Sequence, residues 1–257
     1  MIVELNVWIA NLSEWLGAIA VAWMFSTSTR FKLPPVGFLY ARRDGLVAIF
    51  LYALMLATAF IFYGANPPIF REPISGGAFI PAQAPVTDLV QSLIMAGLAL
   101  IPVVVAMVVR RQPIRSTGWH QAILWPATIM GIAMAFVTLF LRNKFWVVLG
   151  GVSGPEFFAL LTGLGISLAE ETVFRGFILL RLVGWLGEWP GLVLTSLLYA
   201  GWHTVAWYGH LPLETVLLLA VLTFIQGMVL GWIMRKSHHI IAPAIYRTMS
   251  IWMQVLQ

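Results

Sequence analysis

Long apolar runs, separated by short groups of charged and turn-forming residues, dominate the pattern along the chain. Most runs reach or approach the roughly 20 residues that an α-helix needs to cross a bilayer. The runs occupy residues 5–25, 46–63, 89–109, 122–141, 155–183, 190–208, 213–234 and 240–255. The pattern therefore predicts an all-α fold, a polytopic membrane bundle of about eight transmembrane helices.

Two features qualify this picture. The segment 64–88 is rich in Pro and Gly, which predicts an irregular loop. The first run is the least secure span because it contains Asn11, Ser13 and Glu14. No internal repeat is evident. We therefore expect one integral membrane domain, with four spans in residues 1–145 and four in residues 146–257.

Composition supports a membrane protein. Hydrophobic residues make up 60% of the 257 residues and charged residues 10%, against about 25% charged in a soluble domain. Too few polar groups exist to cover the surface of a soluble globule. The same high hydrophobic and low charged fractions exclude a disordered chain. The absence of cysteine excludes disulfides, thiolate metal sites and a cysteine nucleophile.

The formal charge of +5 is better explained by topology than by nucleic-acid binding, and no nucleic-acid partner is expected. Odd-numbered loops hold ten Lys and Arg residues and even-numbered loops three. The odd loops contain Arg30, Lys32, Arg42, Arg43, Arg110, Arg111, Arg115, Arg181, Arg235 and Lys236, and the even loops Arg71, Arg142 and Lys144. The positive-inside rule then predicts cytoplasmic odd loops and both termini outside.

Four histidines lie near the ends of spans or in loops, and none of them is a candidate catalytic or metal-binding residue. His238 and His239 follow two basic residues at a predicted cytoplasmic boundary, so we expect them to be interfacial. His120 and His210 fall in loops and are expected to be solvated.

The fifth run carries charges far from either end, at Glu170, Glu171 and Arg175. A charge inside the membrane is costly and marks a candidate functional site. Glu171 and Arg175 are four residues apart and can pair on one helix face. Glu170 is rotated by about 100° from its neighbour and needs a partner on another helix.

His203, in the next run, is the candidate partner of Glu170. Glu170 lies 14 residues before the predicted turn at 184–190 and His203 lies 13 residues after it. At about 1.5 Å per residue both sit roughly 20 Å from the same end, so antiparallel helices would place them level. A Glu and a His that share one water form a general-base arrangement. Tyr199, four residues before His203, would share its face.

The same residues could instead form a structural ion-pair network, with His203 as a hydrogen-bonded core residue. Such networks perturb titratable groups as active sites do. The residues alone leave both interpretations open.

The sequence LAEETVFRGFILL, followed by YAGWH, resembles the CPBP family, which contains CAAX prenyl proteases and bacteriocin-processing intramembrane proteins. The EExxxR motif of the family is present as Glu170, Glu171 and Arg175, and its aromatic-xxx-His motif as Tyr199 and His203. A third family segment matches at Phe224, Gly227 and Gly231. The resemblance covers about residues 155–255, so it places the catalytic helices in residues 146–257.

The resemblance implies a glutamate-type intramembrane endopeptidase. Glu170 would activate the attacking water with His203 as its partner, and Glu171 and Arg175 would orient the site. The implied substrates are membrane-anchored or lipidated peptides or proteins, or C-terminal sorting tails. No cofactor is expected, because no HExxH motif is evident, although the sequence leaves a divalent metal open. We expect a multi-pass protein of a bacterial or archaeal plasma membrane.

The last run departs from the family, which usually has His, three residues, then Asn there. The His position falls on Tyr246 or Arg247 and the Asn position on Ser250 or Ile251. Arg247 or the Tyr246 hydroxyl would then be the donor to the oxyanion. Both of these residues and Tyr199 are candidates for contacting the oxyanion or the substrate. The departure also motivates an alternative, a non-catalytic membrane partner of the immunity or chaperone-like kind. A small-solute transporter ranks last, because the two halves show no repeat.

Overall fold

The fold is seen in a computed structural model that describes residues 2–27, 31, 37–66 and 86–256. Within these ranges it is all-α and contains no strand, as predicted. The helices are α1 (Ile2–Ser26), α2 (Ala41–Ala65), α3 (Val86–Val109), α4 (Leu124–Leu141), α5 (Phe145–Gly150), α6 (Gly154–Glu171), α7 (Leu180–Leu186), α8 (Glu188–Trp207), α9 (Leu213–Ser237) and α10 (Ile241–Trp252). Two short 3₁₀ helices, Ile114–Thr117 and Gln121–Ile123, precede α4, and a π-helix, Thr172–Leu179, joins α6 to α7.

Six helical segments of the described chain are long and apolar enough to cross a membrane, so the chain is an integral multi-pass membrane protein. They are Trp8–Ser26, Ala41–Ala65, Leu89–Val109, Gln121–Leu141, Gly154–Leu186 and Leu213–Ser237.

The predicted count of eight spans is not confirmed. The predicted span 190–208 corresponds to α8, which has 20 residues but is not among the segments apolar enough to cross. The predicted span 240–255 contains α10, which has 12 residues. At about 1.5 Å per residue, α10 extends roughly 18 Å and is too short for a hydrocarbon core of about 30 Å.

Some of the basic residues that predict the topology lie outside the described part of the chain. Arg30, Lys32 and Arg71 are among the basic residues that the structure does not describe, and so is most of the predicted loop 64–88. The orientation of the chain across the membrane stays a prediction.

Helices from the two predicted halves pack against one another. Helix α1 contacts α9, α2 contacts α7 and α8, α3 contacts α6, and α4 contacts α10. The outer surface is apolar, with Phe50, Ile61 and Phe140 exposed to between 69% and 75%. Such an exterior suits contact with lipid, where apolar side chains need not be hidden from water.

A buried polar network fastens α10 to α1 and α4. The Nε of Arg142 donates to Oε2 of Glu14 at 2.8 Å, and its Nη2 donates to Asn11 at 2.6 Å. The hydroxyl of Ser250 donates to the other carboxylate oxygen of Glu14. Glu14, the charge that weakened the first predicted span, is 2% exposed and fully paired in this way.

The 3₁₀ helix Ile114–Thr117 packs closely against the π-helix. A Cβ atom at Gly176 would lie 2.2 Å from the carbonyl oxygen of Thr117, so only glycine permits this approach. Arg181 is fully buried nearby and donates to the carbonyl oxygens of Phe177 at 3.0 Å and Ser116 at 3.3 Å. These contacts fix the loop onto the π-helix and α7, which follow directly after the helix that carries Glu170.

The structure shows that His239 is buried and not interfacial as expected. It is 1% exposed, its ring meets the Trp119 ring edge-on at 5.5 Å, and its Nδ1 accepts the Ile241 N–H at 3.0 Å. Burial and then the neighbouring His120 lower the pKa of His239 to about 4. It is therefore a neutral structural residue that ends the turn between α9 and α10.

The close contact at Gly176 generates a prediction. Gly176→Ala should destabilise the protein by about 1–3 kcal/mol, because the new methyl group would meet a backbone oxygen that cannot rotate away. The measurement is the thermal unfolding midpoint in detergent. Gly97→Ala is the matched control, since a Cβ at this glycine of α3 meets nothing within 4 Å. Equal midpoints for the two variants would contradict the close packing.

Candidate active site

The start of α6 sets the depth of the candidate site. Ser153 is the N-cap residue, and its N–H and hydroxyl both donate to the Glu156 carboxylate, at 2.8 and 2.6 Å. Pro155 occupies the first turn, where its fixed φ suits the start of a helix. Glu170 and Glu171 are the last two residues of α6, well inside the span Gly154–Leu186.

Three helices bring polar side chains together at Glu170. Its Oε2 lies 3.2 Å from Nε2 of His203 on α8 and 2.5 Å from Nη2 of Arg247 on α10. The same Arg247 nitrogen lies 3.4 Å from the His203 ring nitrogen. The structure thus brings Glu170 and His203 to one level, as the helix lengths predict, and adds a guanidinium between them.

Glu171 is neutralised on the other side of this cluster. Its Oε2 lies 3.3 Å from Nε of Arg175, and its Oε1 lies 3.5 Å from Nη1 of Arg247. Arg175 also donates to the carbonyl oxygen of Gly227 on α9 at 3.4 Å. The predicted pairing of Glu171 with Arg175 is present, and Arg247 contacts both carboxylates.

Tyr199 forms an aromatic wall of the cluster. The Arg175 guanidinium lies 4.0 Å from its ring centroid and the Arg247 guanidinium 5.2 Å, both within cation–π range. The His203 ring meets the Tyr199 ring edge-on at 4.7 Å and stacks on Trp207 at 6.1 Å. These contacts hold the imidazole in a fixed orientation.

Access to the cluster is one-sided. The His203 side chain is 25% exposed, whereas those of Glu170 and Arg247 are each 5% exposed. Glu171 and Arg175 are inaccessible, at 0% and 1%. A molecule entering the site would meet His203 first, with Glu170 and Arg247 behind it.

The structure separates the two candidates at the family's His position. Arg247 faces Glu170, whereas the Tyr246 ring packs in the cluster that contains Trp15 and Met130. Tyr246 therefore points away from the site. If Arg247 takes the His position, the four-residue spacing puts the Asn position at Ile251. The Cγ2 atom of Ile251 lies 3.5 Å from where a Cβ on Gly163 of α6 would be.

Two features of the site are not evident from sequence. The π-helix Thr172–Leu179 follows the two glutamates directly, and no residue pattern in TVFRGFIL marks it. π-Helical turns occur often at functional sites. Trp207 could have been found from its spacing, since it lies one helical turn after His203. Among the described residues, no group of three or more His, Asp or Glu side chains could hold a metal ion.

The buried ion pairs predict the cost of removing one charge. Arg175→Met should destabilise the protein by about 3–5 kcal/mol, because the buried Glu171 would lose its partner at 3.3 Å and keep only Arg247, which it shares with Glu170. The thermal midpoint in detergent measures this loss. Arg42→Met removes an exposed arginine and should change stability by no more than about 0.5 kcal/mol. An Arg175→Met variant as stable as Arg42→Met would refute the pairing.

Residues 153–253 match the family model described as Rce1-like: Type II CAAX prenyl endopeptidase Rce1-like. Comparisons with curated proteins and with solved structures give no match. The matched segment starts at the N-cap of α6 and contains Glu170, His203 and Arg247. The match over residues 153–253 supports the CPBP family, to which the motifs at Glu170 and His203 also point.

Proposed function

We propose that this protein is an intramembrane endopeptidase in which Glu170 activates a water molecule. Its substrates would be membrane-anchored or lipidated peptides or proteins, or C-terminal sorting tails, in a bacterial or archaeal plasma membrane. One observation carries the proposal. Glu170 Oε2 and His203 Nε2 lie 3.2 Å apart inside an apolar bundle, in the segment that matches a peptidase family.

The reaction is a hydrolysis, so one water is added across the peptide bond. Glu170 would accept a proton from the water while the water oxygen bonds to the carbonyl carbon. The carbonyl π-electrons move to oxygen and form a tetrahedral oxyanion. When the C–N bond breaks, the proton held by Glu170 passes to the leaving nitrogen, and the carboxylate is regenerated. His203 would hydrogen-bond the water and fix its position.

Arg247 would stabilise the oxyanion. A guanidinium carries five N–H donors and keeps its charge, so it can leave one carboxylate oxygen and still donate to the substrate. In the structure it contacts Glu170 directly, at 2.5 Å. Substrate binding would draw one guanidinium nitrogen towards the carbonyl oxygen and free Glu170 to accept the proton. Glu171, with partners at 3.3 and 3.5 Å, would hold Arg175 and Arg247 in place during this exchange.

The general-base role of Glu170 is directly testable. Glu170→Gln should lower proteolysis by about 10²–10⁴-fold, because an amide cannot accept the proton of the water. Mass spectrometry of peptide termini in membranes of cells expressing wild type or variant would reveal the cleaved products.

Glu156→Gln is the matched control for this experiment. It makes the same chemical change on the same helix, 14 residues earlier, and glutamine also serves in a capping box. Wild-type termini should persist in this control. If Glu170→Gln is folded, equally abundant and still produces the same termini as wild type, Glu170 is not the base.

A second function, that of a non-catalytic membrane partner, is favoured by one observation. Nη2 of Arg247 lies 2.5 Å from Oε2 of Glu170. A carboxylate in such a short ion pair is a weak base. The family's usual His and Asn are replaced by Arg247 and Ile251. On this view the cluster is structural, and the protein acts through its surface, in an immunity or chaperone-like role.

Restoring the two family residues separates the functions. If the protein is a protease that uses Arg247, the double substitution Arg247→His and Ile251→Asn should leave activity unchanged or lower it, by up to about 10³-fold if the oxyanion donor is lost. If the protein is a non-catalytic partner, wild type should yield no new termini. The double variant could then gain them. The same terminus analysis reads both outcomes, and a gain of termini with an inactive wild type would overturn the protease proposal.

A further inference from the structure

A cavity of about 870 Å³ opens away from the candidate active site, at one end of α2 and α3. It is bounded by the segment 37–40 before α2, the first turns of α2, the residues after α3 and the 3₁₀ helix Ile114–Thr117. Its described lining includes Arg43, Arg110 and Arg115. We call it the arginine cavity.

The arginine cavity carries an excess of positive charge. Among the described residues that line it, Asp44 is the one carboxylate, and Asp44 is paired with Arg110. No carboxylate in the described part of the chain pairs with Arg43 or Arg115, and Nη1 of Arg110 is buried without a hydrogen-bond partner there. Burial, and then Arg115, lower the pKa of His120, which also lines the cavity, so the excess comes from arginine.

The backbone adds to this field. Helix α2 begins at Ala41 beside the cavity, and the side chain of its N-cap residue, Tyr40, makes no capping hydrogen bond. The free N–H groups of a first helical turn carry partial positive charge and favour anions. Arginine side chains and a helix start together suit a phosphate group, whose oxygens accept several charge-assisted hydrogen bonds.

The surroundings of the cavity are those of a membrane surface. The candidate spans Ala41–Ala65 and Leu89–Val109 both end at it, so it lies level with the headgroups of the lipid layer. Leu39, Val109 and Ile114 are exposed to 88%, 74% and 70% around it. Cationic groups beside exposed apolar side chains match a ligand with an anionic head and a hydrocarbon tail.

We propose that the arginine cavity binds the phosphate of an anionic phospholipid headgroup. Both loops that line it are predicted to be cytoplasmic by their basic residues, and basic pockets between spans on that side commonly hold anionic lipids. The ligand's phosphate would contact Arg43 and Arg115, and its acyl chains would lie along the apolar residues outside. This inference does not depend on the proposed protease activity.

The bound lipid would also brace the candidate active site indirectly. Gln112 and Ser116 line the cavity, and both accept hydrogen bonds from the buried Arg181. Arg181 follows the π-helix that carries Arg175. Occupation of the cavity would hold this loop against the helix and raise thermal stability.

The test uses the full-length protein in a neutral maltoside detergent. Binding of phosphatidylglycerol and of phosphatidylcholine is measured by native mass spectrometry, with the thermal midpoint as a second readout. Wild type should prefer phosphatidylglycerol and gain stability from it. Arg43→Gln combined with Arg115→Gln should weaken phosphatidylglycerol binding by about tenfold or more, with little effect on phosphatidylcholine.

The control is Arg42→Gln combined with Lys236→Gln, which removes the same charge on the same predicted side from residues that do not line the cavity. It should bind phosphatidylglycerol as wild type does. If the first double variant does not fold, Arg115→Gln alone is compared with Lys236→Gln. Equal losses in both variants, or equal binding of the two lipids by wild type, would overturn the proposal. Displacement of phosphatidylglycerol by millimolar inorganic phosphate would assign the cavity to free phosphate and overturn the lipid assignment.

Discussion

The charge balance among four buried side chains governs how the C-terminal helices can assemble. Glu170 and Glu171 supply two carboxylates, and Arg175 and Arg247 supply two guanidiniums, all 4% exposed or less. An unpaired charge at this depth would cost several kcal/mol. Because Arg247 comes from α10 and contacts both carboxylates, the bundle reaches neutrality only when α10 is docked.

Helix α10 is therefore a two-sided connector. One face presents Arg247 to α6, and the other face directs Ser250 to Glu14 on α1 and Tyr246 into the α1–α4–α9 core. Its 12 residues are too few to cross the membrane, so its position depends on these lateral contacts. The N-terminal helices, which show no family resemblance, thereby help to set where Arg247 lies relative to Glu170.

The same geometry explains why one arrangement suits two opposite functions. A guanidinium against the Glu170 carboxylate stabilises the resting bundle, yet it occupies the group that a hydrolase needs as a base. In a protease, the substrate carbonyl must compete for Arg247. In a non-catalytic partner, no substrate competes for Arg247, and its ion pair with Glu170 is permanent. The partly exposed His203 is where a competitor would arrive.

The spacing of residues along the chain was enough to predict the helices and most of the residues of the candidate site. Apolar run lengths gave the helices, the four-residue interval gave the Glu171–Arg175 pair, and equal distances from one turn put His203 level with Glu170. The family's sequence motifs identified the same residues. These features involve residues on one helix or on two consecutive helices. Their relative positions follow from the rise and rotation per residue of an α-helix.

Tertiary structure decided what lies between distant helices. The sequence could not tell whether Tyr246 or Arg247 meets Glu170, because adjacent residues of α10 differ by about 100° and the neighbouring helices decide which faces inward. It also could not show that Glu14 is paired with Arg142, 128 residues away, or that His239 is buried. The predicted count of eight spans is not confirmed, because α8 is not among the segments apolar enough to cross and α10 has only 12 residues.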